Sequence, residues 1–412
     1  MAFKEKIAII AHDLVAALRG TSKFVNYGLN PAVVLKGKIP VNSEIIALVP
    51  GGKLLSHQRA YQLTRKAIAR CTNRFIYLYE DSFLRGNISA DIKALVDELQ
   101  PEKVIFCIAR PELKRYILHG SAYIGALPVN RTLLGNTPTE RVREAYIPAV
   151  IQKDSGLASK VIGIDDIERG PYHIASIINR SAERIVICDA RETHHLKAIA
   201  EAIVVGQGAW IPCGSGGLMK EMPVVLGYCE QTRAIKPLVN DRPVVLSVCS
   251  LDEVSALQLS IAAERGTIYP LMVEPAALWR KADRERKMDD IAREAAERIA
   301  AGQNVAITTT LSRYIPQVRL YAASLLATVV RKAIDQQDIG GLLAFGADTT
   351  YALCRELRVE TIQVKGCINE SVSTLIAEAH TREGASFRLG TKGGGVGDEL
   401  EVIRAVQFMR SS

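Results

Sequence analysis

The chain contains no run of about 18 uninterrupted apolar residues, so no membrane-spanning helix is expected. Aromatic residues make up only 6% of it. The basic residues give a net charge of +8 but are scattered among acids. A nucleic-acid surface, which needs clustered cations interleaved with aromatics, is therefore not expected; an anionic small substrate would use the same positive bias, as would a merely solvated surface. The eight cysteines include no C-x-x-C pair, and several sit inside apolar runs such as "VIFCIA" and "IVICDA". They read as reduced core residues of a cytoplasmic protein, not as a disulfide framework. Internal repeats and low-complexity tracts are missing as well. Two nucleotide fingerprints fail too: in the glycine-rich stretch "RLGTKGGGVGDEL" (388–400) the lysine precedes the glycines instead of following them, and G-x-G-x-x-G cannot be laid on it.

What is present is α/β patterning. The first apolar run, Ile7 to Ile10, is too short for a signal-peptide core and meets His12 and Asp13 at once, so it reads as a strand. Further strands are expected in "EIIALV", "RFIYLY", "KVIFCI", "RIVICD" and "GAWIPC", alternating with helices such as "SHQRAYQLTRKAIAR" and "SADIKALVDELQ". At 412 residues the chain exceeds one hydrophobic core, and two domains are expected, each a largely parallel sheet flanked by helices. The aperiodic, proline-bearing stretch 232–243 places the division between 1–236 and 237–412. The second half opens on Ser250-Leu-Asp-Glu253, which reads as an S-x-x-E capping box. A charged helix is expected over about 277–301, and a helix with an apolar stripe of Leu325, Leu326, Val329, Val330, Ala333 and Ile334 follows it.

Ligands of such folds gather beyond the carboxyl ends of strands, and four stretches there carry polar chemistry. Asp13 follows the first strand, where a carboxylate either caps the next helix or acts as a general base. "YEDSFLRGNIS" (79–89) packs Asp81, Ser82, Arg85 and Asn87 before a helix, as a plain polar loop or as an arginine fork for a carboxylate or phosphate with Asn and Ser partners for sugar hydroxyls. "GADTTYALCREL" (346–357) opens a helix with Asp348 and Thr349, a cap or a seat for phosphate oxygens. The stretch 388–400 is a flexible turn or a cluster of backbone N–H groups converging on an anion, with Asp398 and Glu401 capping the last helix.

Together these stretches resemble the four-carbon acid sugar kinase family, over nearly the whole chain. The family's G-G-D-T-A, strand ending in G-E and K-S-G-G-F-G-D are similar to "GADTT" (346–350), "VKGCI" (364–368) and "KGGGVGD" (392–398), and its G-S-C-S-P-V-T-A-R-Q to "CSLDEVSALQ" (249–258). Its K-x-D-S-T-L-R-G-N resembles "YEDSFLRGN", and its V-x-D-A and G-S-A-G-L segments resemble "VICDA" and "GSGGL". The resemblance implies an ATP-dependent kinase acting on a hydroxyl of a small acid or polyol, with magnesium and possible homodimers. It implies ATP contacts from Ser250, Gly346, Thr349, Gly366, Cys367, Ile368, Asn369, Gly394, Gly395 and Gly397, with Lys392 and Asp348 near the phosphates or their metal. It carries Asp81, Ser82, Arg85, Gly86, Asn87, Gly214 and Ser215 to the substrate and Asp13 to the catalytic base. Departures cluster in the first half: His12 to Ala17 replaces D-D-x-T-G-A, Tyr79 replaces the lysine before D-S, and "VPGGK" (49–53) replaces a segment with serine and arginine. In the second half Cys367 replaces a glutamate and Glu370 to Ser373 a proline-glycine turn. A nucleotide-binding protein without kinase activity is the other reading these departures leave.

Overall fold

The computed structural model describes residues 6–52, 55–133, 135–136, 141–206, 208–231, 240–250, 252–274, 281–309, 316–369 and 374–410. Two compact units emerge, Met1–Val33 with Ile39–Thr232, and Val34–Lys38 with Arg233–Ser412. The division expected at 236/237, like Lys53, residues 277–280 and 370–373, lies outside the described residues.

In the N-terminal unit the strands are β1 (Ile7–Ala11), a short β2 (Ala32–Val34), β3 (Ile45–Leu48), β4 (Phe75–Tyr79), β5 (Lys103–Cys107), β6 (Arg115–Leu118), β7 (Ser121–Ile124), β8 (Leu127–Pro128), β9 (Ser159–Ile162), β10 (Ile185–Cys188) and β11 (Trp210–Gly214). The main sheet runs β3-β1-β4-β11-β5-β10-β9, with every pairing parallel. Runs such as "IAIIA" and "IVIC" are buried at every position, as parallel strands covered by helices on both faces must be. The expected strands are all present. The sequence reading missed β2, β9 and the small antiparallel sheet β6-β7-β8. Asp189, just past β10, accepts hydrogen bonds from the N–H groups of His119 and Gly120 and so pins the β6–β7 turn. Ile117 and Ala190 exchange backbone hydrogen bonds beside it.

In the C-terminal unit the strands are β12 (Val244–Val248), β13 (Tyr269–Met272), β14 (Val305–Thr308), β15 (Gly341–Phe345), β16 (Val359–Asn369), β17 (Thr374–Thr381) and β18 (Ser386–Lys392). The order is β13-β14-β12-β15-β18-β17-β16, parallel through β18 and antiparallel for the last two strands. One correction concerns "VKGCI", which is not a short strand of its own but the end of the eleven-residue β16, bulged near Gly366 and Cys367. The charged helix is Lys281–Ala300 within the described residues. In the helix Pro316–Ile334 the stripe residues Leu326, Val329, Val330 and Ala333 are buried. All eight cysteines are free thiols; Cys71, Cys107, Cys188, Cys213 and Cys354 are buried and Cys229 is exposed. No described helix is long and apolar enough to cross a membrane.

Two buried polar residues make this packing testable. Asn304 accepts from the Val244 N–H at 2.9 Å and donates to the Thr267 carbonyl at 2.8 Å, tying the starts of β12, β13 and β14 together. Asn304→Ala strands both groups away from water, a loss of about 1–3 kcal/mol, so melting is expected several degrees lower; an unchanged Tm refutes this role. Asp91, on the helix Ile88–Leu99, is buried against the Thr64 hydroxyl. Burial pushes its carboxyl up to about 6, against the pull of the Thr64 hydrogen bond and of His12. The unfolded chain ionises near 4 while the folded one keeps the proton, so stability falls as pH rises between about 4 and 6. Asp91→Asn is expected to flatten that fall, gaining on the wild type between pH 4.5 and 7 in thermal melts; parallel curves rule it out.

Candidate active site and nucleotide cradle

Parallel registration aligns Ala11, Tyr79, Gly214 and Cys107 as successive partners across β1, β4, β11 and β5. The residues that follow them enclose one cavity of about 90 Å³, room for a ligand of a few heavy atoms. Asp13, Asp81, Ser82, Arg85 and Ser215 all line it. Asn87 lines a smaller adjoining cavity with His12, Glu80 and Asp91.

The loop after β4 is shaped by its own polar residues. Asp81 accepts from the Phe83 N–H at 2.9 Å and from Arg85 Nε at 2.7 Å. Leu84 and Gly86 then turn the chain at φ of 58° and 92°, and the Asn87 amide donates to the Leu55 carbonyl. Asp81, Gly86 and Asn87 therefore build the loop, while Ser82 and the Arg85 guanidinium border the cavity. Ser215 is equally committed: its hydroxyl donates to the Ile108 carbonyl at 2.8 Å. Gly214 lies so close to β5 that a Cβ would come within 2.2 Å of the Cys107 carbonyl oxygen, so glycine is required there.

Three arginines lining the same cavity, Arg19, Arg110 and Arg115, escaped the sequence reading. Arg110 and Arg115 exchange backbone hydrogen bonds across the tight Pro111–Leu113 turn, which sets the two side chains side by side. Arg115 donates to the Ser82 hydroxyl at 2.6 Å and stacks 3.7 Å above the Phe83 ring. Loss of hydration, then repulsion from Arg110, pulls its guanidinium down to about 10. A cation so disfavoured is an anion receptor in waiting. Arg110 also pairs with Glu112 at 3.0 Å. Position could have found Arg110, which follows the strand "KVIFC" directly. Arg115 owes its place to a hairpin with no clear sequence signal. Burial raises the Tyr79 phenol, against the opposing pull of Arg110 and Arg19.

Of the two roles left open for Asp13, the structure shows the cap. One oxygen caps the helix Leu14–Ser22, accepting from the Ala16 N–H at 2.7 Å. The other faces His12 Nε2 at 3.3 Å.

In the C-terminal unit, register aligns Thr308, Val248, Phe345 and Lys392 across β14, β12, β15 and β18. Beyond that row the expected nucleotide residues meet. The Gly346 N–H donates to the Lys392 carbonyl at 2.9 Å. Gly346, at φ 89°, is the N-cap of the helix Ala347–Glu356 and makes no side-chain cap bond; neither Asp348 nor Thr349 is the cap, and Thr349 is buried. Ser255 and Gln258, on the helix Glu253–Glu264, hold the glycine loop through the carbonyls of Gly394, Val396 and Asp398. The S-x-x-E box is corrected: Asp252 is the N-cap, accepting from the Val254 N–H, while the Ser250 hydroxyl accepts from the Asp252 N–H. The helix begins only at Glu253, so Asp252 directly precedes it and caps the Val254 N–H, whereas Ser250 lies too early to be the cap. A Cβ on Gly394 would meet the Ser250 hydroxyl at 2.4 Å, and one on Gly395 the Asp252 carboxylate at 2.3 Å. Bare backbone is thus held against a helix N-terminus, a geometry suited to phosphate. Lys392 is fully buried, its ammonium 4.3 Å above the Phe345 ring and 3.3 Å from the Gly394 carbonyl. Gly397 sits at φ 93° against Glu401. Asp398 accepts from the Leu400 N–H just before the helix Glu401–Arg410 and pairs with Arg404. Gly366, Cys367, Ile368 and Asn369 close the edge of this sheet end: Cys367 lies opposite Leu375, which lies opposite Thr391.

One further group of the described residues, Glu168, His194 and His195, has metal-ligand spacing. His195 Nδ1 accepts from the N–H groups of Arg191 and Glu192, which leaves its Nε2 protonated and donating to Glu168. The cluster is a hydrogen-bonded knot rather than an open ligand set.

A family model described as "Sugar-binding N-terminal domain" matches residues 7–222, and one described as "Nucleotide-binding C-terminal domain" matches residues 245–400. The chain is 22% identical to a D-erythronate kinase of Heliobacterium modesticaldum, covering 98% of this chain and 97% of that one. It is 24% identical to a D-threonate kinase of Bordetella bronchiseptica, again covering 98% and 97%. A crystal structure from Salmonella typhimurium LT2 superposes with a TM-score of 0.80 at 18% identity, over 97% of this chain and 98% of that one, and shows the shared fold. Matched in both halves, the chain belongs to the four-carbon acid sugar kinase family, which joins a sugar-binding N-terminal domain to a nucleotide-binding C-terminal domain.

Proposed function

We propose that this protein is an ATP-dependent kinase that phosphorylates a hydroxyl of a small sugar acid. The observation that carries the reading is the convergence of Arg19, Arg85, Arg110 and Arg115 with the His12–Asp13 pair on one small cavity, inside the half matched as sugar-binding. The guanidiniums of Arg110 and Arg115 take the carboxylate of the acid, because a planar fork satisfies two carboxylate oxygens together. Ser82 and Arg85 orient the hydroxyls, and the His12–Asp13 pair faces the one that reacts. In the other half, the N–H groups of the loop Gly394 to Gly397 and of the first turn of the helix Ala347–Glu356, which Gly346 opens, hold the phosphates of ATP, and Lys392 offsets their charge. Asp348 and Asp252 would hold the magnesium ion that accompanies ATP, and the ion would offset charge on the phosphates. When bound, ATP with its metal supplies the γ-phosphoryl group; the chain's own residues position the acceptor, exclude water and receive the proton. The relatives' names supply the first acids to try, D-erythronate and D-threonate.

Coupled measurement of ADP release against D-erythronate, D-threonate and related acids, with ATP and magnesium, is expected to show turnover. ATP with magnesium is expected to raise the melting temperature. Arg115→Ala removes a charge-assisted partner of the carboxylate worth about 1.5–3 kcal/mol, so KM for the acid rises roughly 10- to 100-fold while the ATP-induced shift is kept. The absence of turnover on every acid, together with the absence of any stabilisation by ATP, would refute the reading.

A further inference from the structure

We infer that His12 is the catalytic base of this site: its Nε2 takes the proton of the reacting hydroxyl, with Asp13 holding the resulting imidazolium. The inference rests on the kinase reading above and deepens it.

The ring's hydrogen bonds fix its chemistry. His12 Nδ1 lies 2.9 Å from the Tyr79 carbonyl oxygen, which can only accept, so Nδ1 carries a proton in every state of the ring. The exchangeable proton is therefore the one on Nε2. That nitrogen faces Asp13 Oδ2 at 3.3 Å, and two lone pairs cannot face each other there. An imidazolium beside a carboxylate would satisfy that contact, and it is the form a base takes once it has received a proton. The form competent to act carries one proton fewer, with the Nε2 lone pair open. At 3.3 Å the contact is longer than a tight charge-assisted bond of about 2.7–2.9 Å, so a substrate hydroxyl can come to lie beside both atoms. His12 also lines the cavity into which Arg115 points its guanidinium.

The surroundings serve an acid–base role. The charged and titratable groups around the ring are Asp13 on its own turn, Arg19 on the following helix, Tyr79 and Glu80 at the end of β4, and Asp91 on the helix Ile88–Leu99. Glu80 is 1% exposed and Asp91 7%, so two buried acids line the smaller cavity beside the ring. Asp13 is less suited to receive the proton itself. Its Oδ1 accepts from the Ala16 N–H and its Oδ2 faces His12 Nε2, so both oxygens are already engaged. In the step, the substrate O–H bond breaks, its proton passes to His12 Nε2, the oxygen bonds to the γ-phosphorus, and ADP departs with the electron pair of the broken P–O bond.

The test is the pH dependence of ADP release from ATP and magnesium with D-erythronate or D-threonate, whichever the wild type turns over. Wild-type kcat is expected to climb about tenfold per pH unit below the titration of an imidazole and then level off. His12→Asn keeps the hydrogen bond to Tyr79; it is expected to lose that limb and about 10²- to 10⁴-fold in kcat, with KM for the acid and the ATP-induced thermal shift little changed. In parallel, ¹⁵N NMR of imidazole-labelled protein is expected to show His12 Nδ1 protonated throughout and Nε2 losing its proton over the same pH range. A limb that survives in His12→Asn, or an Nδ1 that titrates, overturns the assignment while leaving the kinase standing. Absence of wild-type turnover on these and related acids, with no stabilisation by ATP, would fell the kinase reading and this inference with it.

Discussion

Parallel pairing obliges neighbouring strands to end at the same edge of their sheet, and the chemistry of each half depends on that constraint. In the N-terminal unit one row of partners, Ala11, Tyr79, Gly214 and Cys107, ends four strands together. The next residues along each strand are His12 and Asp13, Glu80 and Asp81, Ser215, and after a short turn Arg110. Residues up to about 200 positions apart in sequence thereby share one small cavity. The C-terminal unit repeats the device with Thr308, Val248, Phe345 and Lys392, followed by Cys249 and Ser250, Gly346, and the glycine loop.

Close approach is the second requirement, and glycine meets it only where backbone must touch its neighbour. Gly214 has the Cys107 carbonyl where a side chain would start, and Gly394 and Gly395 have Ser250 and Asp252. The flexibility concentrated in 393–397 is therefore spent: the carbonyls of Gly394, Val396 and Asp398 are all held by the helix Glu253–Glu264. The buried Lys392 ammonium lies beside the loop so held, 3.3 Å from the Gly394 carbonyl. In the reading proposed above, a loop fixed in advance would take phosphate without the cost of ordering on binding.

Much of this was legible in the sequence because periodicity and turn chemistry are local. The strands "IAIIA", "FIYLY" and "IVIC", and the glycine turn before Asp348, stand where the patterns put them. What was not legible depends on contacts that no local pattern encodes. The hairpin β6–β7 is anchored by Asp189, about 70 residues further along the chain, and that anchor carries Arg115 to the cavity. Ser250 looked like a cap because S-x-x-E is a real signature, yet the helix starts later and Asp252 caps it through the Val254 N–H. His12 stood out only as a departure from a family pattern; the Tyr79 carbonyl, 67 residues away, is what gives it a defined tautomer.

The arginines of the N-terminal cavity show how such a site stays folded without its ligand. Four guanidiniums around one small space would repel each other by several kcal/mol in a dry interior. Compensation here is separate for three of them: Arg85 has Asp81, Arg110 has Glu112, and Arg115 has the Ser82 hydroxyl and the face of Phe83. These partners are not equivalent. A carboxylate neutralises its arginine, whereas a hydroxyl and an aromatic face only solvate one. Arg115 is thus left with partners that solvate it without neutralising it, and lost hydration with repulsion from Arg110 pulls its guanidinium down to about 10. In the reading proposed above, the carboxylate of a short acid binds there, against β6. The remainder would lie toward His12 and Asp13, so the position of one undercompensated cation would set which end of the substrate meets the base.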